Sequence, residues 1–401
     1  MRWNASLFFS AYFCVALCAV PALAENSSSI SELQENAQQG NADAQYKLGL
    51  AFEKGSGVDR NFDEAAKWYR EAAEQGFSKA QYKLGYFYEE GIGVAEDHSE
   101  EVNWFRKAAE QGNGDAEAAL GLDYLIGRGV DRDDAESVKW FLKSAQQGNA
   151  FAEMNLASAY KDGFGVKADP KEAFKWYRKL ANQGDDNGEF WLAALYASGQ
   201  GVKQNYSEAM KWFRKSAEQN DFLSADEIAR MYENGLGVGK SDVEAAKWYR
   251  KAAEQGDFSA QGKLAKMYAD GKGVPQDYLQ AYMWISLATK EGKSTFFGMA
   301  PVDIQDPIDW RKEIERKLTA EQRKEALQKA KKWSVPREEL DNAGEASSKK
   351  DYVEAYKWYS LAYLHGNKSA KKWVKYLSDR MMPGQIAEAK KRVADWQPPK
   401  E

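Results

Sequence analysis

Apolar positions recur along this chain at two scales. Within residues 41–76, Ala44, Leu48 and Phe52 stand at i, i+4 and i+8, the spacing of one helix face. After a polar break at Asn61, a second apolar set follows through Ala65, Trp68, Tyr69, Ala72 and Ala73. The pattern then returns every 36 residues through Gly292, in seven copies without insertion or deletion. Self-similarity at a fixed period of this size predicts stacked supersecondary units, each burying its apolar face against its neighbours. The expected fold is therefore all-α, an α/α solenoid of seven 36-residue helix-loop-helix repeats. They occupy 41–76, 77–112, 113–148, 149–184, 185–220, 221–256 and 257–292.

The polar letters punctuate these helices. Gly55 stands where the first helix needs a C-terminal residue with positive φ. Asn61 and its counterparts (Asp97, Asp133, Asp169, Asn205, Ser241, Asp277) are N-caps for the second helix, each followed three residues on by Glu or Gln, as Glu64 follows Asn61. That spacing predicts a reciprocal capping box in every copy. Gly76 and its counterparts, with Asn220 once, predict left-handed stops for the second helix. The set A-x-x-x-L-G-x-x-[FY], G-x-G-V and A-x-x-W-[YF]-x-x-A-A resembles the Sel1-like repeat, a relative of the tetratricopeptide repeat. In the first copy it is carried by Ala44/Leu48/Gly49/Phe52, Gly55/Gly57/Val58 and Ala65/Trp68/Tyr69/Ala72/Ala73. The resemblance implies a right-handed superhelix with first helices lining the concave side. It also implies a bacterial protein of the kind commonly used as an adaptor in signalling and envelope assembly, some members acting at host interfaces.

Outside the repeats the pattern changes. Residues 1–24 resemble a secretory signal peptide, with Arg2, an apolar run from Leu7 to Val20 and cleavage after Ala22-Leu23-Ala24. Cleavage would remove Cys14 and Cys18, so the mature chain would hold no cysteine and no disulfide. An exported protein is expected, in the periplasm or secreted, with no stable membrane insertion after cleavage. Residues 25–40 are expected to form an N-terminal cap helix. Beyond Gly292 we expect a helical double cap: a first module at 293–333, a linker at 334–350, and a second Sel1-like module at 351–401. Ala355–Ala362 matches Ala281–Ala288, and Met382–Trp396 matches Thr319–Trp333, with Met382 losing the threonine cap.

Charge divides the chain. The formal net charge of −5 combines +8 over 310–401 (22 Lys and Arg, 14 Asp and Glu), −14 over 25–309 (33 and 47) and +1 from Arg2. The basic end is a candidate for docking on an acidic surface. Nucleic acid is not expected, since acids are mixed among the bases. His98 and His365 are the only histidines, and no metal-ligand spacing, phosphate loop, dinucleotide fingerprint or nucleophile elbow is present. No catalytic, cofactor or metal site is expected; Asp97-His98-Ser99 reads as a helix cap.

The structural letters Leu48, Gly55, Gly57, Asn61, Glu64, Trp68 and Gly76 each have a task, and the recurring tryptophans are expected to be core, worth ~2–3 kcal/mol each. Function should lie where copies disagree. At roughly 100° per residue the first-helix face opposite Leu48 includes positions 46 and 50. These give Tyr46, Leu50, Tyr82, Tyr86, Leu122, Met154, Phe190 and Arg230 as a partner-binding face, apolar at first and charged later. The expected function is a non-catalytic scaffold binding a peptide or helix. Alternatives are a host-interaction factor, a self-assembling element, or a β-lactam-binding or hydrolysing enzyme as linked to cysteine-rich relatives; the absence of cysteine weighs against the last.

Overall fold

A computed structural model describes residues 30–289, 307–365, 367 and 370–396. The signal peptide, Gly292 and most of the stretch Lys293–Asp309 lie outside the described residues. Among those described, every regular element is a helix and all peptide bonds are trans. The chain divides into two compact units, the first holding residues up to Gly184 with 200–202, the second the remainder.

The first unit contains α1 (Ile30–Gln38), then the pairs α2 (Ala42–Lys54) and α3 (Phe62–Glu74), α4 (Ser78–Glu90) and α5 (His98–Glu110), α6 (Gly114–Ile126) and α7 (Asp134–Gln146), and α8 (Ala150–Asp162) and α9 (Pro170–Asn182). Each helix of a pair has 13 residues because the same two stops recur. Gly55 ends α2 at φ 70°, its N–H returning to Ala51 O. Asn61 caps α3 through its side chain, which accepts from the Glu64 N–H; such a cap contributes about 1 kcal/mol. The caps form in all seven copies. The reciprocal half of the expected capping box does not. Glu136, Glu208 and Glu244 instead pair with lysines one turn on, at 2.5–2.6 Å, and Glu100 accepts from the Trp104 indole at 3.1 Å. A long flexible cation one turn ahead competes better for an exposed carboxylate than a backbone N–H behind it.

The core also differs from the expected tryptophan ladder. Trp104 and Trp140 are buried, but Trp68 and Trp176 are half-buried. Lysine ammonium groups lie 3.8 Å from the ring centroids of Trp104 and Trp140. The fully enclosed ring belongs to the next residue: Tyr69, Phe105, Phe141 and Tyr177 are at 0% exposure. In the first three copies the glycine after the first-helix leucine makes room for it, since a Cβ at Gly85 would sit 2.6 Å from Phe105 Cδ1; opposite Tyr177 the place is taken by Ala157. Glutamine pairs then tie the two helices of a copy together, Gln75 donating to Gln45 at 2.6 Å and Gln111 to Gln81 at 2.7 Å. Gln81 also donates to Ala73 O; where Glu153 replaces that amide, Lys179 bonds the vacated Ala145 carbonyl at 3.0 Å and pairs with Glu153 at 2.7 Å.

The second unit repeats this plan in α10 (Asp186–Ser198), α11 (Tyr206–Glu218), α12 (Phe222–Asn234), α13 (Asp242–Glu254), α14 (Phe258–Asp270) and α15 (Tyr278–Ala288). It ends in α16 (Pro307–Glu315), α17 (Ala320–Ser348), α18 (Tyr352–Leu364), α19 (Ala370–Arg380) and α20 (Pro383–Ala394). The linker expected at 334–350 is a correction. Residues 334–348 continue the 29-residue α17, and Ala343 and Ala346 pack against Ala355 and Tyr359 of α18. Polar composition there marks an exposed helix face, not a loop. Thr319 and Gln322 form a full capping box at the start of α17. At α20 Gln385 still bonds Met382 N–H, at 2.8 Å, but Met382 returns no side-chain cap.

Candidate functional site

The first helices position the expected contact residues unequally. Tyr46, Leu50, Tyr82, Tyr86 and Met154 are half-buried in the first unit. Tyr46 lies 5.8 Å from Tyr69 and 5.3 Å from Phe77, ring to ring, and Tyr82 lies 5.7 Å from Phe105. Burial, then the nearby Glu53, pushes the Tyr46 hydroxyl up to about 12. Tyr46, Leu50 and Tyr86 share one apolar cluster, and Tyr82 and Tyr86 share the next. Position 46 is thus an inter-repeat packing position whose ring is only partly covered. Leu122 is a correction, being only 3% exposed, because stacking buries more than one face of a helix. In the second unit Phe190 packs on Phe213 at 5.7 Å, and Arg230 bonds Glu227 at 3.0 Å.

A buried charge cluster joins copies two and three. Arg128, in the loop after α6, reaches Glu89 Oε1 at 2.9 Å, Glu101 Oε1 at 2.6 Å and Asp123 Oδ1 at 2.9 Å. His98 Nδ1 lies 2.6 Å from Glu101 Oε2, and its Nε2 3.1 Å from Glu96 Oε1. Glu101 and Asp123 are fully enclosed. Burial raises both carboxyls above the ordinary carboxylate range; each also feels the other acids, and Arg128 opposes the shift. The cluster is a clamp that holds the 127–132 loop on copy two. Reading His98 as a cap neighbour missed it, although Asp97 does cap α5. The signal was present in the columns. Glu101 replaces the alanine of Ala65 and Ala173, and Asp123 the apolar residue of Ala51 and Leu195.

At the basic end, a cavity of about 520 Å³ is lined by Tyr282, Glu315, Arg323, Lys324, Leu327 and Lys331, among others. Arg323 is paired with Glu315 at 3.0 Å. Among the described residues, no group of three or more His, Cys, Asp or Glu is arranged to hold a metal ion. Among them, too, no helix is long and apolar enough to cross a membrane.

The helix pairs, glycine stops and interlocked glutamines define a stacked helical-repeat protein. The Sel1 repeat profile matches 42–77, 78–113, 114–149, 150–185, 187–221, 224–257, 259–293 and 343–367, and the chain belongs to that family. The eighth match begins inside α17, in the stretch read as a linker. A comparison with curated proteins finds no match. Among solved structures, the chain is similar to c5321, a protective antigen present in uropathogenic Escherichia coli strains displaying an SLR fold. Identity is 29% and the TM-score 0.63, covering 91% of this chain and 85% of that one. It is also similar to a Sel1 repeat protein from Oxalobacter formigenes, at 30% identity and TM-score 0.56, covering 77% and 86%. Sel1 repeat proteins generally serve as protein-interaction scaffolds, and the fold is typically non-catalytic.

Proposed function

We propose that this chain is an exported, non-catalytic scaffold of the bacterial envelope that docks a partner's peptide or helix across the first helices of its repeats. One observation carries the reading: Tyr46, Tyr82 and Tyr86 remain partly exposed on successive first helices while they pack within the apolar clusters. Rings held in place lose little freedom on binding and supply large contact area. Export rests on the signal-like residues 1–24. The similarity to c5321, described as a protective antigen, supports an outward location and a role at a host surface as the second reading. A photo-crosslinking amino acid placed at Tyr86 in cells should give a discrete adduct that a matching placement at exposed Lys139 lacks. Equal labelling at both positions would refute the docking face. Fractionation of cells expressing the chain with and without residues 1–24 tests export; identical distributions would remove it.

A further inference from the structure

Position 46 of the repeat holds a ring in copies one, two and five, Ala118 and Met154 in copies three and four, and changes character in the last two copies. Tyr46 and Phe190 fill this place by packing on the aromatic residue of the following helix, at 5.8 Å from Tyr69 and 5.7 Å from Phe213. The next two copies carry Asp226 and Gly262 there. Asp226 stands in the same register against Tyr249, whose hydroxyl feels its charge. It is only 9% exposed, and its Oδ1 is enclosed without a hydrogen-bond donor. A buried carboxylate oxygen without a donor is costly, so such a group calls for a partner.

The charged groups facing Asp226 do not supply one. Arg230 on α12 is bonded to Glu227 at 3.0 Å, and Lys263 on α14 is 3.8 Å from Glu233. Burial first, then the negative charge of Asp257 and Glu227, pushes the Asp226 carboxyl up to about 7, with Arg230 and Lys263 opposing the shift. Gly262 is itself buried, yet a Cβ there would meet nothing within 4 Å, so an unfilled space lies beside it. One helical turn before each residue stands an exposed phenylalanine, Phe222 at 38% and Phe258 at 37%. Spacing of four places Phe222 with Asp226, and Phe258 with Gly262, on one face of α12 and of α14.

We propose that Asp226, the unfilled space at Gly262, Phe222 and Phe258 form a pocket for one basic side chain, lysine or arginine, of a partner peptide. The cation supplies the donor that Asp226 Oδ1 lacks, and the two phenyl rings flank its alkyl stem and charged head. Gly262 leaves unfilled the space that a larger residue would occupy. The pocket presupposes that the repeats dock peptides, yet it is testable without any partner.

The probe is N-acetyl-arginine amide, titrated into the full chain and followed by the amide resonance of Gly262, with the neutral N-acetyl-citrulline amide as control. Saturable shifts at Gly262 are expected with the arginine probe only. Affinity should fall at least tenfold in Asp226→Asn, and also in Asp226→Phe, which restores the ring of Phe190 and guards against a merely unfolded variant. Between pH 8 and pH 5.5 the wild-type affinity should drop roughly tenfold or more as the carboxyl takes up its proton. Equal binding of citrulline, unchanged affinity in Asp226→Asn, or no shift at Gly262 would overturn the pocket. Crosslinking at Tyr86 reads the docking face independently, so a failed titration with that adduct intact removes the pocket alone.

Discussion

Gly57 and Gly129 hold the same letter of the repeat and the same left-handed backbone, φ 76° and 65°. Their neighbours differ. A Cβ at 129 would fall inside the contact surface of the His98 carbonyl oxygen and 3.0 Å from Val102 Cγ2. At 57 the nearest atom is Ile30 Cβ at 3.8 Å, because no complete copy precedes the first. Replacing either by alanine costs the left-handed conformation, about 1–2 kcal/mol. Gly57→Ala should lose that and no more. Gly129→Ala must also lift its loop from α5, at about 1–3 kcal/mol for the overlap. The lift draws Arg128 from Glu89, Glu101 and Asp123, and breaking a buried pair costs about 3–5 kcal/mol when nothing replaces it. Partial relaxation keeps these from adding in full, so the expected gap between the variants is about 3 kcal/mol or more.

Neighbour-limited cooperativity makes one global midpoint a poor measure in a repeat stack. Native-state hydrogen exchange resolves the change by helix. Gly129→Ala should lower protection in α5 and α6 selectively, whereas Gly57→Ala should lower it modestly near α1 and α2. Equal losses in the two variants would show that backbone conformation alone explains the second glycine, and the close approach to the preceding helix would lose its role.

Three further outcomes are expected. Glu101 and Asp123 keep protons to higher pH folded than unfolded, so their contribution is full below about pH 4 and is lost as pH rises through the folded values; urea midpoints reporting on α5 and α6 should fall between pH 4 and pH 8, and Asp123→Asn should flatten that slope. Tyr177→Ala should destabilise by about 3–5 kcal/mol and the half-buried Trp176→Ala by clearly less, in chemical denaturation; the reverse order would restore the tryptophans as the core. Met382→Thr should stabilise α20 by about 0.5–1 kcal/mol by supplying the missing cap, as Thr319 does for α17, read from exchange rates of α20 amides.

What repeated was legible before any coordinates. Period, helix pairs, left-handed stops and N-caps each follow from local rules that act within a few residues, and each appears where the rule places it. What the rules missed depends on neighbours in space. Trp68 and Tyr69 are adjacent in every sense a sequence records, yet the tyrosine is enclosed because Gly49 lies opposite it. Glu64 has the spacing of a capping box, but a lysine ahead of Glu136 and its equivalents wins the carboxylate. Residues 334–348 are polar enough for a linker, yet Ala343 and Ala346 among them dock on α18 and keep the segment helical. The columns of the repeat offer a route past this limit. A column fixes the surroundings of a position by its other members, so a residue foreign to its column is a local exception with a physical cost. Glu101 among alanines and Asp123 among apolar residues proved to be partners of Arg128, an internal settlement of that cost. Asp226, in a column otherwise without charge, feels Arg230 and Lys263, yet its Oδ1 receives no hydrogen bond, and that contrast places the pocket there and not at the larger charge cluster.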